Sequence, residues 1–330
     1  MNVLWLQSGG CGGCSMSLLS ADTGDFPRLL QAVGVRWLSH PALSLGERSL
    51  LELLDDCIEE RVELDVLVLE GAVLRGPNGT GGYHRLAGSE RPMTEWLRRL
   101  AGVARHVAAV GSCAAFGGIA ATQPNVTEAC GLQYEDDHAA GLLGAGFRAR
   151  GGLPVINIAG CPTHPGWVLD TFAALAADRL RAEDLDALGR PRFYADHLVH
   201  HGCTRNDYYE FKASAALPSE QGCLMEHLGC KGTQAHADCN MRAWNGNGSC
   251  TRGGYACISC TEPGFQDPGH PFDRTPKVAG IPIGLPTDMP KAWFVALASL
   301  SKSATPRRVK VNAGSDHVAV PPAIRKTRLK

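Results

Sequence analysis

Eleven of the thirteen cysteines, joined by one histidine, sort into three groups of four whose spacing suits iron–sulfur clusters. The first is Cys11, Cys14, Cys113 and Cys161; the second is His200, Cys203, Cys223 and Cys230; the third is Cys239, Cys250, Cys257 and Cys260. Thiolates hold such clusters, and an imidazole replacing one thiolate makes a cluster less negative and easier to reduce. Only its i, i+3 relation to Cys203 sets His200 above His201. Three successive redox stations suit conduction of electrons better than scaffolding.

The first group lies far apart in sequence but in one recurring context. Residues 3–6 run into Ser8-Gly9-Gly10-Cys11-Gly12-Gly13-Cys14, residues 106–110 into Gly111-Ser112-Cys113, and residues 155–158 into Ala159-Gly160-Cys161-Pro162. Each is an apolar run that stops at glycine or serine and then delivers cysteine. Such runs, with others at 35–38 and 64–69, alternate with helical patterns at 50–62, 93–104 and 167–180. That alternation predicts an α/β fold, a doubly wound, flavodoxin-like parallel sheet. Ligands of such sheets sit beyond the carboxyl ends of the strands, so the four cysteines should meet at one edge.

Other chemistries compete for the same residues. A lone Cys-x-x-Cys reads first as zinc, then as a redox dithiol or a cluster; the third group alone reads equally as a zinc ribbon. Disulfides are disfavoured because the chain opens on a core strand with no apolar signal region ahead of it. The expectation is a reducing, cytoplasmic setting.

With 330 residues and 44% hydrophobic content, the chain can bury a substantial core. A net charge of −1 calls for neither nucleic acid nor anionic membrane. The apolar stretch at 292–298 is far too short to span a bilayer. Three segments are expected: a flavodoxin-like domain over 1–185, an irregular ligand-rich domain over 186–266, and a C-terminal extension over 267–330. In the second, periodicity fades while cysteine, glycine and histidine become frequent, so bound metal must supply folding energy that packing does not.

Some residues fall outside the groups. Cys57 sits in an amphipathic helical pattern and reads as a buried thiol; Cys130 precedes Gly131 in a loop and has no assigned role. Glu70, at a strand end beside Gly71, reads first as a carboxylate satisfied by backbone amides and second as a group at the subunit interface or in proton traffic; Lys231 reads as a solvated lysine or a charge offset beside Cys230. The extension ends with Lys302, Arg307, Arg308, Lys310, Arg325, Lys326, Arg328 and Lys330 against Asp316 alone after Ser301. It reads first as a solubilising disordered tail, second as a docking arm for an acidic partner.

The ordered series Cys-x-x-Cys, Gly-Ser-Cys, Gly-Cys-Pro, His-x-x-Cys, Gly-Cys-Lys-Gly and Cys-Ile-x-Cys-x-Glu-Pro-Gly-Phe, over roughly residues 1–265, resembles the small subunit of NiFe hydrogenases. The resemblance implies three 4Fe-4S clusters: proximal on Cys11, Cys14, Cys113 and Cys161; distal on His200, Cys203, Cys223 and Cys230; medial on Cys239, Cys250, Cys257 and Cys260. It implies an obligate large subunit holding the nickel–iron centre. Many members carry proline where this chain has Cys250, and their medial cluster is then a three-iron species.

Other departures matter. Gly13 and Gly118 stand where oxygen-tolerant relatives have extra cysteines, Met16 replaces a usual glutamate, and the Cys223-to-Cys230 spacing is one residue longer than is typical. Cys250, the residue 6–17 opening and the lack of a leader or anchor resemble cytoplasmic H2-sensing hydrogenases. Their implied partners are a histidine protein kinase and a second heterodimer. Rival readings are a soluble catalytic uptake hydrogenase, a respiratory-complex subunit, and a zinc-stabilised binding module.

Overall fold

The computed structural model of the chain describes residues 1–21, 26–43, 49–244, 246, 248–287 and 289–322. Two compact units emerge: residues 1–196 with 260–267, and residues 197–259 with 268–330.

The first unit is built on five strands, β1 (Asn2–Gln7), β2 (Arg36–Ser39), β3 (Val66–Glu70), β5 (His106–Val110) and β7 (Ile156–Ile158). All pair in parallel in the order β2-β1-β3-β5-β7, as the alternating pattern predicts. The order turns back at β1, which places a crevice beyond the strand ends at β1 and β3. A short antiparallel pair, β4 (Val73–Leu74) with β6 (Ala129–Cys130), lies outside this sheet. Cys130, expected in a loop, is therefore a strand residue and fully buried.

Parallel strands covered on both faces need apolar residues at every position, and β3 and β5 are buried throughout. Side chains alternate faces along β1. Leu4 and Leu6 enter the cluster that holds Leu53, Leu54 and Cys57 of α3 (Leu50–Ile58) and Trp96, Leu97 and Leu100 of α4 (Met93–Val103). Trp5 meets Phe172 of α6 (Pro165–Ala176), ring centroids 6.5 Å apart. Burying each such side chain is worth roughly 1.5–3 kcal/mol, which holds the strand ends in register. Helices α1 (Gly13–Leu19), α2 (Phe26–Ala32), α5 (Ser112–Phe116) and α7 (Arg192–Ala195) complete the unit.

The second unit is mostly irregular. It holds α8 (Asn206–Glu210), a β8–β9 pair (Lys277–Val278 with Ile281–Pro282), α9 (Lys291–Ala304) and α10 (Arg307–Ala313). Among the described residues its apolar clusters are small: Tyr209, Met225 and Phe294 form one, and Ala213, Val309 and Ala313 another. The stretch beyond Asp267, expected as a tail, thus carries two helices and buries Phe294, Val309 and Asn312. Its basic end, with Arg325, Lys326, Arg328 and Lys330, lies outside the described residues. Among the described residues, no helix is long and apolar enough to cross a membrane.

Candidate metal centres

Three strand ends and their loops gather the first group. Cys11 and Cys14 follow β1, Cys113 follows β5 and Cys161 follows β7. The β5 and β7 loops are tied together: Gly111 N–H donates to Ile158 O at 2.9 Å, Ser112 N–H to Gly160 O at 2.9 Å, and Gly160 N–H to Ser112 Oγ at 2.9 Å. Ser112 Oγ donates in turn to the carbonyl of Cys260.

The sulfurs of Cys14, Cys113 and Cys161 feel their surroundings. Burial pushes the Cys14 thiol far up, a backbone N–H at Thr163 opposes, and Glu70, Cys113 and Cys161 push it further. Burial also raises Cys113, against N–H groups of Ile119 and Ala120, with Cys11 and Glu70 adding to the rise. Burial, then Cys113 and Cys11, push Cys161 up to about 11. Thiols so placed stay protonated and crowded on their own, whereas cationic iron would displace the protons and reverse the repulsion.

Glycines leave the room that sulfur needs. A Cβ at Gly111 (φ +89°) would come 2.5 Å from Cys14 Sγ, one at Gly118 (φ +54°) 3.0 Å from Cys113 Sγ, and one at Gly13 3.1 Å from Cys11 Sγ. The donor set and this cradle both fit a cluster.

Glu70 closes the floor of the site. It is 3% exposed and accepts from Cys14 N–H at 2.9 Å, Ser15 N–H at 3.0 Å, Ser15 Oγ at 2.5 Å and Gln7 Nε2 at 2.8 Å. It is the backbone-satisfied carboxylate expected from its strand-end position.

In the second unit, His200, Cys203, Cys223 and Cys230 line one cavity. His201 is exposed, and its Nδ1 accepts from Leu198 N–H at 3.2 Å. Backbone amides point at the sulfurs: Arg205 N–H to Cys203 Sγ at 3.4 Å, Met225 N–H to Cys223 Sγ at 3.5 Å, Cys257 N–H to Cys230 Sγ at 3.4 Å. Burial pushes Cys223 up to about 12, the Met225 amide opposing and Cys230 and Cys203 reinforcing. Burial likewise raises Cys230. The chemistry of this donor set again fits a cluster.

The third group divides between the units, Cys239, Cys250 and Cys257 in the second and Cys260 in the first. Cys257 is buried and its Sγ accepts from Ser259 N–H at 3.4 Å; Cys250 is exposed. Lys231, half-buried rather than fully solvated, donates its backbone N–H to Cys257 O at 2.7 Å.

Three organising residues carry no local sequence signal. Arg190, 3% exposed, pairs with Asp186 at 2.7 Å and Glu262 at 2.9 Å and donates to Thr261 O at 3.0 Å, holding the segment after Cys260. Arg205 donates to Glu220 O at 2.6 Å, Gly222 O at 2.7 Å and Thr251 O at 3.1 Å, pinning the loops around Cys203 and Cys223. Asn240, 2% exposed, donates to Val199 O at 2.7 Å and accepts from Ser249 and Thr251 hydroxyls at 2.5 and 2.9 Å.

Comparison with known proteins gives the same answer along most of the chain. Residues 11–175 match the family model described as NADH ubiquinone oxidoreductase, 20 Kd subunit, and residues 195–273 match the model for the C-terminal region of the NiFe/NiFeSe hydrogenase small subunit. The F420 non-reducing hydrogenase I small subunit of Methanosarcina mazei is 35% identical over 296 residues, 82% of this chain and 74% of that one. The periplasmic NiFeSe hydrogenase small subunit of Desulfomicrobium baculatum is 32% identical, covering 82% and 86%. Among solved structures, the actinobacterial-type NiFe-hydrogenase from Ralstonia eutropha H16 superposes with a TM-score of 0.74 at 28% identity, covering 93% of this chain and 92% of that one. The chain belongs to the small-subunit family of NiFe hydrogenases, the electron-transfer partners of the large subunit that holds the NiFe site.

Proposed function

We propose that this chain relays electrons between the NiFe site of a large subunit and an acceptor over three 4Fe-4S clusters. The observation that carries the reading is the convergence of Cys11, Cys14, Cys113 and Cys161 at one sheet edge, with glycines shaped around their sulfurs. Clusters bound there would take up and pass on one electron at a time. The side chains supply position and tuning: Cys11, Cys14, Cys113 and Cys161 hold the proximal station, Cys239, Cys250, Cys257 and Cys260 the medial, and His200, Cys203, Cys223 and Cys230 the distal. Met16 and Leu19, apolar and 69% and 44% exposed just after Cys14, suit a large-subunit interface there.

The test is the purified heterodimer. About twelve irons with matching acid-labile sulfide and a nickel-bearing partner are expected; abundant zinc with little sulfide overturns the reading.

Within the family, two roles divide. The opening motif and Cys250 favour a cytoplasmic H2 sensor signalling to a histidine kinase. The second reading is a soluble catalytic uptake enzyme, which the same three stations would serve. H2 turnover separates them. A sensor oxidises H2 slowly and its deletion abolishes H2-dependent transcription; an uptake enzyme does neither.

A further inference from the structure

Thr233 follows Cys230 by three residues and lines the same cavity as His200, Cys203, Cys223 and Cys230. It is 3% exposed, and among the described residues its hydroxyl has no hydrogen-bond partner. Its backbone is fixed: Thr233 O accepts from Thr287 N–H at 3.2 Å and Thr287 Oγ1 at 3.4 Å, and the preceding Gly232 O accepts from His200 N–H at 3.0 Å. A Cβ at Gly232 would lie 3.6 Å from Cys230 Sγ, so this turn runs along that sulfur.

Three other polar side chains of the wall are already committed. Arg205 donates to Glu220 O, Gly222 O and Thr251 O, Asn240 Nδ2 to Val199 O, and Thr251 Oγ1 to Asn240 Oδ1. Asn206 Oδ1 lacks a partner as well, but as an acceptor it has no proton to offer sulfur. A buried hydroxyl carries one proton to donate, and leaving it unpaired is costly. Sulfur is the acceptor that the ligand set gathers into this cavity, and backbone amides of Arg205, Met225 and Cys257 already point at it.

We propose that the Thr233 hydroxyl donates a hydrogen bond to a sulfur of the distal cluster and thereby raises that cluster's reduction potential. The inference rests on reading His200, Cys203, Cys223 and Cys230 as the distal ligands. Each electron that arrives adds one negative charge to the cluster, and a donor aimed at its sulfur stabilises that reduced state more than the oxidised one. No bond is made or broken: the proton stays on Thr233 Oγ1 throughout. Because the Thr233 backbone is held by Thr287 and its turn by His200 N–H, the donor is in place before the electron comes and nothing has to reorient. Thr233 is thus a tuning residue for the station, not one of its ligands.

The test is a redox titration of the intact heterodimer followed by electron paramagnetic resonance, the distal signal being the one that Cys230→Ala removes. Thr233→Val keeps the shape and loses the proton. At a fixed potential near the midpoint, the oxidised-to-reduced ratio of the distal cluster should rise about three- to tenfold in this variant, a midpoint lower by roughly 30–60 mV at about 59 mV per tenfold. Thr233→Ser, which keeps the hydroxyl, should return the parent's midpoint. A Thr233→Val midpoint equal to the parent's overturns the proposal, as does a Thr233→Ser midpoint shifted as far as that of Thr233→Val. Loss of the distal signal from both variants overturns it too, since the role is then one of shape; loss from Thr233→Val alone upholds the contact. Cys230→Ala reports on the ligand reading by itself: full iron and an unchanged spectrum there would sink the distal assignment whatever position 233 does.

Discussion

Gly111 and Cys14, nearly a hundred residues apart, share one space: a Cβ at position 111 would sit 2.5 Å from the Cys14 sulfur. Gly111 also has φ +89°, where L side chains are strained. Gly111→Ala should therefore push Cys14 out of the first group. The expected outcome is loss of about four of roughly twelve irons, with the other clusters retained. Iron and sulfide analysis of the heterodimer decides it; full iron in this variant means that the cradle is not a requirement.

Glu70 shows how the same site is floored. Its carboxylate accepts from two backbone amides, the Ser15 hydroxyl, the Gln7 amide and, at 3.2 Å, the Trp5 indole. Glu70→Gln puts an NH2 where only acceptors fit, leaving buried donors facing one another. A loss of about 1–3 kcal/mol is expected, seen as a melting temperature lowered by about 2–4 °C per kcal/mol. Thermal unfolding at neutral pH measures it, and an unchanged midpoint would show the network to be dispensable.

What is legible without the structure follows range in sequence. Strand β5 begins and ends where its apolar run does, because a strand buried on both faces announces itself by composition alone. The recurring cysteine contexts likewise place Cys11, Cys113 and Cys161 after parallel strands of one sheet. Cys130 escapes such reading because a two-residue strand has no periodicity to detect. Arg190 and Arg205 escape it because an arginine that pins loops 15 to 72 residues away looks locally like any surface arginine. The run at 292–298 is too short for a bilayer, yet one buried face of α9, through Phe294, suffices to make it a helix.

His40 gives the first unit a pH dependence. Its ring lies 4.7 Å from Trp5 and 5.2 Å from Trp37, and its Nδ1 accepts from Ala42 N–H at 3.1 Å. Burial pushes its pKa down to about 4, the Glu70 charge opposing. The unfolded chain, with histidine near its usual value of about 6.5, binds the proton first on acidification. Stability conferred by the neutral ring is therefore complete above about pH 6.5 and drains away towards pH 4, by up to about 3 kcal/mol. His40→Phe keeps an aromatic ring but no titration. The stability of the parent relative to this variant should fall from pH 7 to pH 4, and a difference that stays flat over that window rules the assignment out.

Cys250 is the residue that sets the proposed medial station apart from the proline-bearing members of the family. It is exposed, its carbonyl accepts from Tyr255 N–H at 2.9 Å, and its own N–H donates no hydrogen bond among the described residues. Proline at this position therefore removes a thiol without removing a backbone hydrogen bond. With Cys239, Cys257 and Cys260 left, three thiolates hold three irons, and the fourth corner is lost. Cys250→Pro should lower the iron content of the heterodimer by about one. It should also introduce an electron paramagnetic resonance signal in the oxidised state, where a four-iron centre of this kind is silent. The Gly111→Ala variant serves as the contrast, since it empties a different station. An oxidised spectrum and iron count identical to the parent would remove Cys250 from the ligand set and leave the third group one member short.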